Sequence, residues 1–364
     1  MFNSLNSFKK ERPLLGLGGS GGGLSFFGGG GGDGLYSFSS HKFTNAGVFG
    51  RQGPSLSTLK SAYDNDYSST PVSDRWWNDS NYFTLANSVN GVQQWTVPST
   101  GDYSFQLQAP RARYTGTGAQ ILGARVTVQM PLTESDIIYM VCGQQGGLGS
   151  YNGGGAGGTF LFRYSSSSWD LLAAVGGAGG CGPNNASQYI ARANANLGTS
   201  GNAGTNSDHW NTGSSGGSNG QKGDDSWYTY EASPGGGWLT TSATQGNPNC
   251  SYLVYSGVGL ITSGSTIQSG AFVGGWGANA MGDNLSGGFG GGGGGSGACG
   301  SSGSGGGGGY SGGGVGNDCC NSWGGGGGSY VKSGLSITSA LQLYNHAPTG
   351  GTYSIDSFVL VTKI

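Results

Sequence analysis

Alternation of apolar and polar residues predicts a series of β-strands in the first half of the chain. Residues 103–108 (YSFQLQ) and 126–130 (VTVQM) repeat with a period of two, as expected for strands that bury one face. Residues 137–142 (IIYMVC) form a continuous apolar run, which predicts a strand buried on both faces. The same criteria predict further strands at residues 92–97, 160–164 and 171–175.

The alternating pattern returns near the C-terminus. Apolar residues alternate through 335–343, and residues 353–364 (YSIDSFVLVTKI) predict a closing strand through Phe358 and Leu360. A short helix is predicted from Pro54, because the fixed φ of proline suits the first helical position. Its apolar face would hold Leu56, Leu59, Ala62 and Tyr63. Short strands separated by Gly, Pro and Asn are typical of an all-β sandwich.

These patterns divide the chain into three parts. Residues 1–40 are rich in Gly and Ser and form an N-terminal arm, which we interpret as an anchor or assembly peptide. Residues 41–180 plus 331–364 carry the strand patterns and form the predicted sandwich. Residues 181–330 are predicted to be a glycine-rich insertion with loops. The predicted fold class is therefore an all-β, jelly-roll-like sandwich with an inserted glycine-rich module.

Glycine is concentrated in residues 287–328, where 25 of 42 positions are glycine. Such a composition is typical of a flexible linker. However, aromatic residues stand beside the glycine runs, and strand-like sequence resumes after the last run. A linker has no need for either feature, so we predict that the module is ordered. The aromatic residues beside the runs are Phe289, Tyr310, Trp323 and Tyr330.

Glycine runs can form structure when several of them pack together. A polyglycine chain can adopt an extended left-handed helix with three residues per turn, like polyproline. Without Cβ atoms such helices can approach closely and satisfy one another's backbone groups. We predict a bundle built from the runs at 153–155, 176–180, 235–237, 290–295, 305–309 and 324–328. Its predicted packing residues are Gly292, Gly307, Gly326, Phe289, Tyr310 and Trp323. A low-complexity linker is the alternative that composition leaves open.

Charge excludes some classes of function. The net charge is -2 and only 9% of residues are charged, so no basic surface for nucleic acid is expected. No apolar run approaches the roughly 20 residues of a membrane-spanning helix. The apolar residues near the N-terminus are too few and too interrupted by glycine for a secretion signal. We therefore expect synthesis in a cytoplasm.

No residue pattern indicates catalysis, a cofactor or a metal. The three histidines, His41, His209 and His346, are far apart and lack partners at ligand spacing. The six cysteines are too few for a disulfide framework in a chain of this length. Small buried thiols are the favoured interpretation. A disulfide between Cys299 and either Cys319 or Cys320 is the alternative.

Four aromatic residues in the insertion are candidates for ligand binding. Aromatic rings on loops offer stacking faces to sugars or proteins at low entropic cost. The alternative is that these rings cover the glycine bundle. The candidates are Trp210, Trp227, Tyr228 and Trp238.

Five stretches, in order, resemble a known extracellular region. They are residues 43–63 (FTNAGVFGRQGPSLSTLKSAY), 92–103 (VQQWTVPSTGDY), 140–147 (MVCGQQGG), 160–177 and 286–313 (SGGFGGGGGGSGACGSSGSGGGGGYSGG). The pattern is similar to the glycine-rich region of anaplastic lymphoma kinase and leukocyte tyrosine kinase, over roughly residues 43–330. That resemblance implies a tumour-necrosis-factor-like sandwich carrying a bundle of polyglycine II helices. The sequence contains no kinase-like part, so receptor signalling is not expected.

The chain also resembles glycine-rich virion proteins of tailed bacteriophages, including tail-fibre adhesins. This resemblance implies a non-enzymatic tail fibre, spike or tip protein, located in virions that are released by lysis. Residues 1–40 would join other virion proteins, and the glycine-rich face would meet a glycan or protein of the host surface. We expect a homo-oligomer, with a trimer as the candidate state. The alternatives are a capsid decoration or head-fibre protein, and a soluble glycine-rich signalling or matrix protein. A polysaccharide depolymerase is disfavoured because no pair of carboxylates stands out.

Overall fold

The computed structural model describes residues 34–113, 121–149, 152–182, 187–205, 213–224, 232–241, 255–277, 285–296, 303–316, 322–343 and 357–364. Its strands are β1 (Ser40–Thr44), β2 (Phe83–Leu85), β3 (Val92–Thr96), β4 (Gly101–Gln108), β5 (Ala124–Leu132), β6 (Ile137–Val141), β7 (Thr159–Ser165), β8 (Ser168–Val175), β9 (Thr262–Ser263), β10 (Thr266–Ile267), β11 (Tyr330–Val331), β12 (Ser336–Leu343) and β13 (Phe358–Lys363). The helices are α1 (Leu56–Asp66) and α2 (Ser187–Ala193), with 3-10 turns at Val72–Asp74, Trp76–Asn78 and Ala86–Ser88. The all-β prediction is confirmed.

Two antiparallel sheets form the main body. The five-stranded sheet has the order β1-β13-β4-β5-β12, and the six-stranded sheet has the order β11-β8-β7-β6-β3-β2. The sheets pack face to face, so one side of each contributes to a common core. On β4 the alternating Tyr103, Phe105 and Leu107 are fully buried in that core, as their period-two pattern predicts. The jelly-roll or tumour-necrosis-factor-like detail of the fold stays a prediction.

The six-stranded sheet is covered on its second face as well. A separate apolar cluster lies there and includes Phe160 and Phe162 of β7 together with Trp238, Phe272 and Phe289. The last three residues come from the part of the chain predicted as an insertion. The insertion therefore does not project freely from the sandwich but packs on its outer face.

Three strand predictions need correction in detail. The apolar run of β6 is not buried on both faces throughout, since Ile137 is 41% exposed and lies near the end of the sheet. β12 is an edge strand, and Ile337 on it is 53% exposed. The closing strand is predicted to run through Phe358 and Leu360, but the buried side chains of β13 are those of Val359 and Val361. Periodicity and apolar runs therefore identified β3 to β8, β12 and β13, but not the other five described strands and not which strands lie at an edge.

Helix α1 begins two residues later than predicted. Ser55 is its N-cap, and the Ser55 hydroxyl accepts a hydrogen bond from the backbone N–H of Thr58, which satisfies one of the unpaired first-turn donors. Pro54 precedes this cap. Of the predicted apolar face, Leu59 and Tyr63 are fully buried.

The predicted N-terminal arm does not extend as a separate segment to residue 40. Tyr36 and Phe38 pack against the sandwich core, and the Tyr36 ring stacks on Trp76 with centroids 5.0 Å apart. The sandwich therefore begins no later than Tyr36. Residues 1–33 lie outside the described residues.

The sandwich has two distinct ends. At one end, which we call the entry end, Leu35 donates its N–H to Pro98 O at 2.7 Å, just before β4 begins at Gly101. At the opposite end, which we call the bundle end, β4 finishes at Gln108 opposite Arg125 of β5. The chain leaves β6 and β8 and enters β7 and β11 at the bundle end. Every connection to the glycine-rich segments therefore starts from this end.

Candidate functional site

Glycine-rich segments assemble beyond the bundle end into a compact structure that we call the glycine bundle. It includes parts of the predicted sandwich as well as the predicted insertion, so the boundary at residue 180 is not a structural one. The bundle comprises the described residues 143–149, 152–158, 176–182, 201–205, 213–224, 232–237, 255–259, 274–277, 286–296, 303–316 and 322–329.

The segment 303–310 lies at the centre of the bundle, and its hydrogen bonds repeat every three residues. Gly305 donates its N–H to Gly153 O at 3.0 Å, and Gly308 donates to Ala156 O at 2.8 Å. A three-residue step along one segment therefore matches a three-residue step along its neighbour. A helix with three residues per turn has this property, since every third residue faces the same direction.

The same repeat connects the central segment to six neighbours. Its N–H groups donate to three segments that run in the same direction, and its carbonyl groups accept from three that run in the opposite direction. The acceptor segments are 153–156, 233–236 and 325–328, and the donor segments are 177–180, 293–296 and 313–316. The hydrogen-bond pattern agrees with the predicted bundle of polyglycine helices. The alternative interpretation as a flexible linker is therefore excluded for these segments.

Glycine is required here because the backbones are in contact. A Cβ atom added to Gly307 would lie less than 3.0 Å from backbone atoms of Gly177, Ala178 and Gly327. Gly292 and Gly326, the other two predicted packing glycines, would also meet backbone atoms of neighbouring segments within 3.0 Å. The predicted role of all three glycines in packing agrees with this geometry.

Segments at the rim of the bundle have glycine only at every third position, a pattern that the glycine runs do not predict. In residues 201–204 (GNAG) only the first and last residues are glycine, and a Cβ on Gly201 or Gly204 would lie within 3.0 Å of the neighbouring segment 312–316. Between them Asn202 and Ala203 are only partly buried. A segment with neighbours on one side needs glycine only at every third position. The signal in the sequence is therefore G-x-x-G, which recurs at 213–216 (GSSG) and 220–223 (GQKG).

The predicted aromatic packing residues lie at different places around the bundle. Phe289 is 1% exposed and belongs to the cluster between the bundle and the six-stranded sheet. Tyr310 stacks on Tyr330 at the start of β11, with centroids 4.7 Å apart. Trp323 is fully buried in a small cluster on the side of α2. All three therefore pack against the bundle, as predicted, but they do not form one group.

A group of charges holds the chain where it leaves the bundle. Lys332, directly after β11, places its Nζ 2.6 and 2.7 Å from the two carboxylate oxygens of Asp170 on β8. Arg163 of β7 lies 3.3 Å from the same carboxylate. Partly exposed pairs of this kind contribute about 0.2–1 kcal/mol each, so they fix the path of the chain more than they stabilise the fold.

The end of the bundle that faces away from the sandwich, which we call the outer end, is rich in short polar side chains. Asn152 donates through Nδ2 to Ser296 O at 2.7 Å, and the Ser304 hydroxyl donates to Ser322 O at 2.8 Å. Thr205 donates its N–H to Trp323 O at 2.8 Å. The described residues that flank the segments 206–212, 297–302 and 317–321 therefore come together at this end.

The candidate binding residues divide into two groups. Trp238 is 7% exposed and packs against Phe160, Phe162 and Phe272, with its centroid 5.2 Å from that of Phe162. The interpretation of Trp238 as an exposed binding residue is therefore wrong, and the ring covers the junction between bundle and sheet. The remaining candidates lie outside the described residues, and their role stays a prediction: Trp210, Trp227 and Tyr228.

Two of the six cysteines are buried free thiols, which agrees with the favoured interpretation of the cysteines. Cys142 and Cys181 are free and buried, and burial raises the pKa of each thiol to about 12. The other four cysteines lie outside the described residues, and so does the predicted pairing of Cys299 with Cys319 or Cys320.

The buried thiols lead to a first prediction. Because the thiolate is the reactive form, Cys142 and Cys181 should remain unmodified when the folded protein is treated with an alkylating reagent at pH 8. Peptide mapping by mass spectrometry after denaturation measures this. Rapid labelling of either residue in the folded protein would contradict the buried geometry.

The described part of the chain offers neither a metal-binding cluster nor a membrane-spanning helix. Within the described ranges, no cluster of three or more His, Cys, Asp or Glu side chains is arranged to hold a metal ion. His209 and His346 lie outside those ranges. No helix of the described part of the chain is long and apolar enough to cross a membrane.

The chain matches no protein-family model, and no curated protein is significantly similar to it. The role of the glycine bundle is therefore argued from its geometry.

Proposed function

We propose that this protein is a non-enzymatic structural component of a tailed-bacteriophage virion, a tail fibre, spike or tip protein that contributes to recognition of the host surface. The observation that carries the proposal is the polarity of the molecule. The chain enters the sandwich at Leu35, and the glycine bundle leaves from the opposite end.

The separation of the two ends suits a protein that is attached at one end and makes contact at the other. β4 spans eight residues from the entry end to the bundle end, and the bundle segment 303–310 continues for another eight. At about 3.4 Å per residue in the strand and about 3.1 Å in the helix, the strand is about 27 Å long and the bundle segment about 25 Å long. Attachment through the residues that precede Leu35 would leave the outer end accessible.

Rigidity supports the same role. The backbone groups of the bundle are hydrogen-bonded to neighbouring segments instead of to water, so its segments cannot move independently. Binding residues are commonly placed on loops that a rigid scaffold holds in position. Trp210 lies in the segment that follows Thr205, and Trp227 and Tyr228 lie in the segment that precedes Ala232. Ala232 itself lies against Gly303, so both segments are attached near the outer end.

The proposed partners follow from this arrangement. The part of the predicted arm that precedes Leu35 would bind other virion proteins, and the outer end would bind a glycan or protein of the host surface. The assembly would be a homo-oligomer, with a trimer as the state to test. The protein would be located in the virion.

Immunolabelling of virions tests the proposal. Negative-stain electron microscopy with an antibody to this chain should place the label on the tail fibres, spike or tip. Label on the capsid would instead support a decoration or head-fibre protein. Purified virions without label would exclude a virion protein.

The predicted binding role of Trp227 leads to a second prediction. Trp227→Ala should reduce adsorption of the virion to host cells about tenfold, since loss of one stacking ring commonly costs about 1–2 kcal/mol at an interface. The melting temperature of the Trp227→Ala protein should stay within about 2 °C of that of the wild type. Adsorption is measured as phage depleted from solution per folded particle. Unchanged adsorption together with a clear loss of thermal stability would show that the ring is structural.

A further inference from the structure

Strand β1 is an edge of the five-stranded sheet, and helix α1 covers it. One side of β1 pairs with β13 through five residue pairs. On the other side, Lys42 donates its N–H to the Tyr67 hydroxyl at 2.8 Å, and Thr44 donates its N–H to the Tyr63 hydroxyl at 3.2 Å. Tyr63 of α1 and Tyr67, the C-cap of α1, thus occupy donors that an open edge would offer to another strand.

His41 of β1 lies beneath this cover, in a box of five aromatic rings. The imidazole is 1% exposed and stacks on Tyr67 with centroids 4.7 Å apart. The other four ring centroids lie 4.7–5.4 Å away, and they belong to Phe43, Tyr63, Trp76 and Trp77. Within the described part of the chain, His41 Nε2 has no hydrogen-bond partner.

We propose that His41 makes the segment 56–78 an acid-sensitive cover of the β1 edge. Protonation of the imidazole loosens α1 and the turn Trp76–Asn78 from β1, while both sheets and the glycine bundle remain folded. The N–H groups of Lys42 and Thr44 then become available to another strand.

The physical cause is the cost of placing a charge in this box. Burial lowers the pKa of His41 from its usual 6.5 to about 3. When the cover opens, water reaches the imidazole and its pKa returns toward 6.5. The closed state is therefore fully favoured above pH 6.5 and loses stability as the pH falls from 6.5 toward 3. At pH 4.5 the opening constant should be about 100-fold higher than at pH 7.5, because each pH unit below 6.5 contributes a factor of ten.

No neighbouring charge compensates the imidazolium. On α1 and its C-cap, the groups nearest the imidazole are the phenols of Tyr63 and Tyr67, whose pKa values burial raises, so both stay neutral. Asp64 lies outside the box, where it accepts a hydrogen bond from the Trp77 indole at 2.9 Å and pairs with Arg75 at 3.2 Å. That hydrogen bond is the largest cause of the lowered pKa of Asp64, so this carboxylate stays ionised between pH 7.5 and 4.5. The remaining charged groups on the elements packed around His41 are Lys42, Lys60, Asp66, Asp74 and Lys363.

Opening should be local because the cover and the strand are held differently. β1 keeps its ladder with β13 when α1 leaves. The cover is held to β1 by the aromatic box and by the two tyrosine hydrogen bonds. A protonated imidazole weakens the second set of contacts and leaves the β1–β13 ladder intact. The cover is also held by Leu59 and Tyr63, which are buried in the core, and by the Tyr63 hydroxyl, which donates to Gln93 Oε1 of β3.

Hydrogen exchange on the full chain tests the proposal. Residue-resolved opening constants at pH 7.5 and 4.5 are corrected for intrinsic exchange rates. For the amides of 56–66 and of Lys42 and Thr44, the opening constant should rise about 100-fold and stay well above that of β4. If the cover and β4 share one opening constant at pH 4.5, the opening is global and the proposal is overturned.

Two variants separate His41 from other titrating groups. His41→Phe fills the box without a titratable group and should abolish the rise, whereas an unchanged rise would overturn the proposal. Tyr67→Phe is the matched control, because it removes the hydrogen bond to Lys42 but keeps His41, and it should retain the 100-fold rise. Should His41→Phe fail to fold, the wild-type slope decides: a tenfold change per pH unit below 6.5 supports the uptake of one proton, and a flat profile overturns it.

Discussion

Gly307→Ala should lower the free energy of unfolding by about 2–4 kcal/mol, although it adds only one methyl group. Overpacking typically costs about 1–3 kcal/mol, and each backbone hydrogen bond lost adds about 1 kcal/mol. The new Cβ would meet backbone atoms of Gly177, Ala178 and Gly327. Two of these residues are themselves joined, because Gly327 donates its N–H to Gly177 O at 2.9 Å. Backbone in the centre of the bundle cannot move aside without breaking such bonds.

Gly198→Ala is the matched control for this prediction. A Cβ at Gly198 would meet only the Asn196 side-chain oxygen, at 3.4 Å, which is an acceptable contact. The change should therefore leave stability within about 0.5 kcal/mol of the wild type, as most surface substitutions do. Denaturant unfolding of both variants measures the difference. Equal stability of the two would mean that the central segment tolerates side chains and is not packed as described.

Trp238→Ala should lower the free energy of unfolding by about 3–5 kcal/mol, the range for deleting a buried large aromatic ring. The ring fills the space between β7 and the bundle, where it contacts Phe160, Phe162 and Phe272. Its loss would leave a cavity, lined by aromatic rings, between the six-stranded sheet and the bundle. Adsorption to host cells, measured per folded particle, should not change.

Comparison with Trp227→Ala makes this prediction decisive. Both variants remove one indole from the glycine-rich part of the chain. Trp238 lies in the apolar cluster on the six-stranded sheet, whereas Trp227 lies outside the described residues. Thermal melting and adsorption are measured on both. A Trp238→Ala protein that melts like the wild type but adsorbs poorly would return Trp238 to the set of binding candidates.

Much of the sandwich could be predicted because the strands obey a local rule. Side chains on a strand alternate between its faces. The spacing of Tyr103, Phe105 and Leu107 therefore predicts both a strand and the face of it that is buried. Exposure of Ile337 could not be predicted in the same way. Leu335, Ile337, Leu341 and Leu343 also follow a period of two, and only the sheet order places β12 at an edge.

The candidate site was predicted in part. Runs of glycine identified the centre of the bundle, since a segment with six neighbours has no direction left for a side chain. Rim segments such as 201–204 were missed, because G-x-x-G is common by chance in a chain with 82 glycines. Trp238 was placed among the binding candidates because an aromatic residue in a polar segment has the same sequence context whether it is exposed or buried.

Most of the long strands, the all-β class and the need for close backbone packing in the glycine runs follow from the sequence alone. They depend on side-chain period and on the missing Cβ, which are properties of each residue and its near neighbours. The neighbours of the central helix, the position of Trp238 and the burial of His41 under α1 follow only from the three-dimensional fold. Those contacts join residues far apart in the chain, for example Gly305 with Gly153, and they depend on the path of the whole backbone.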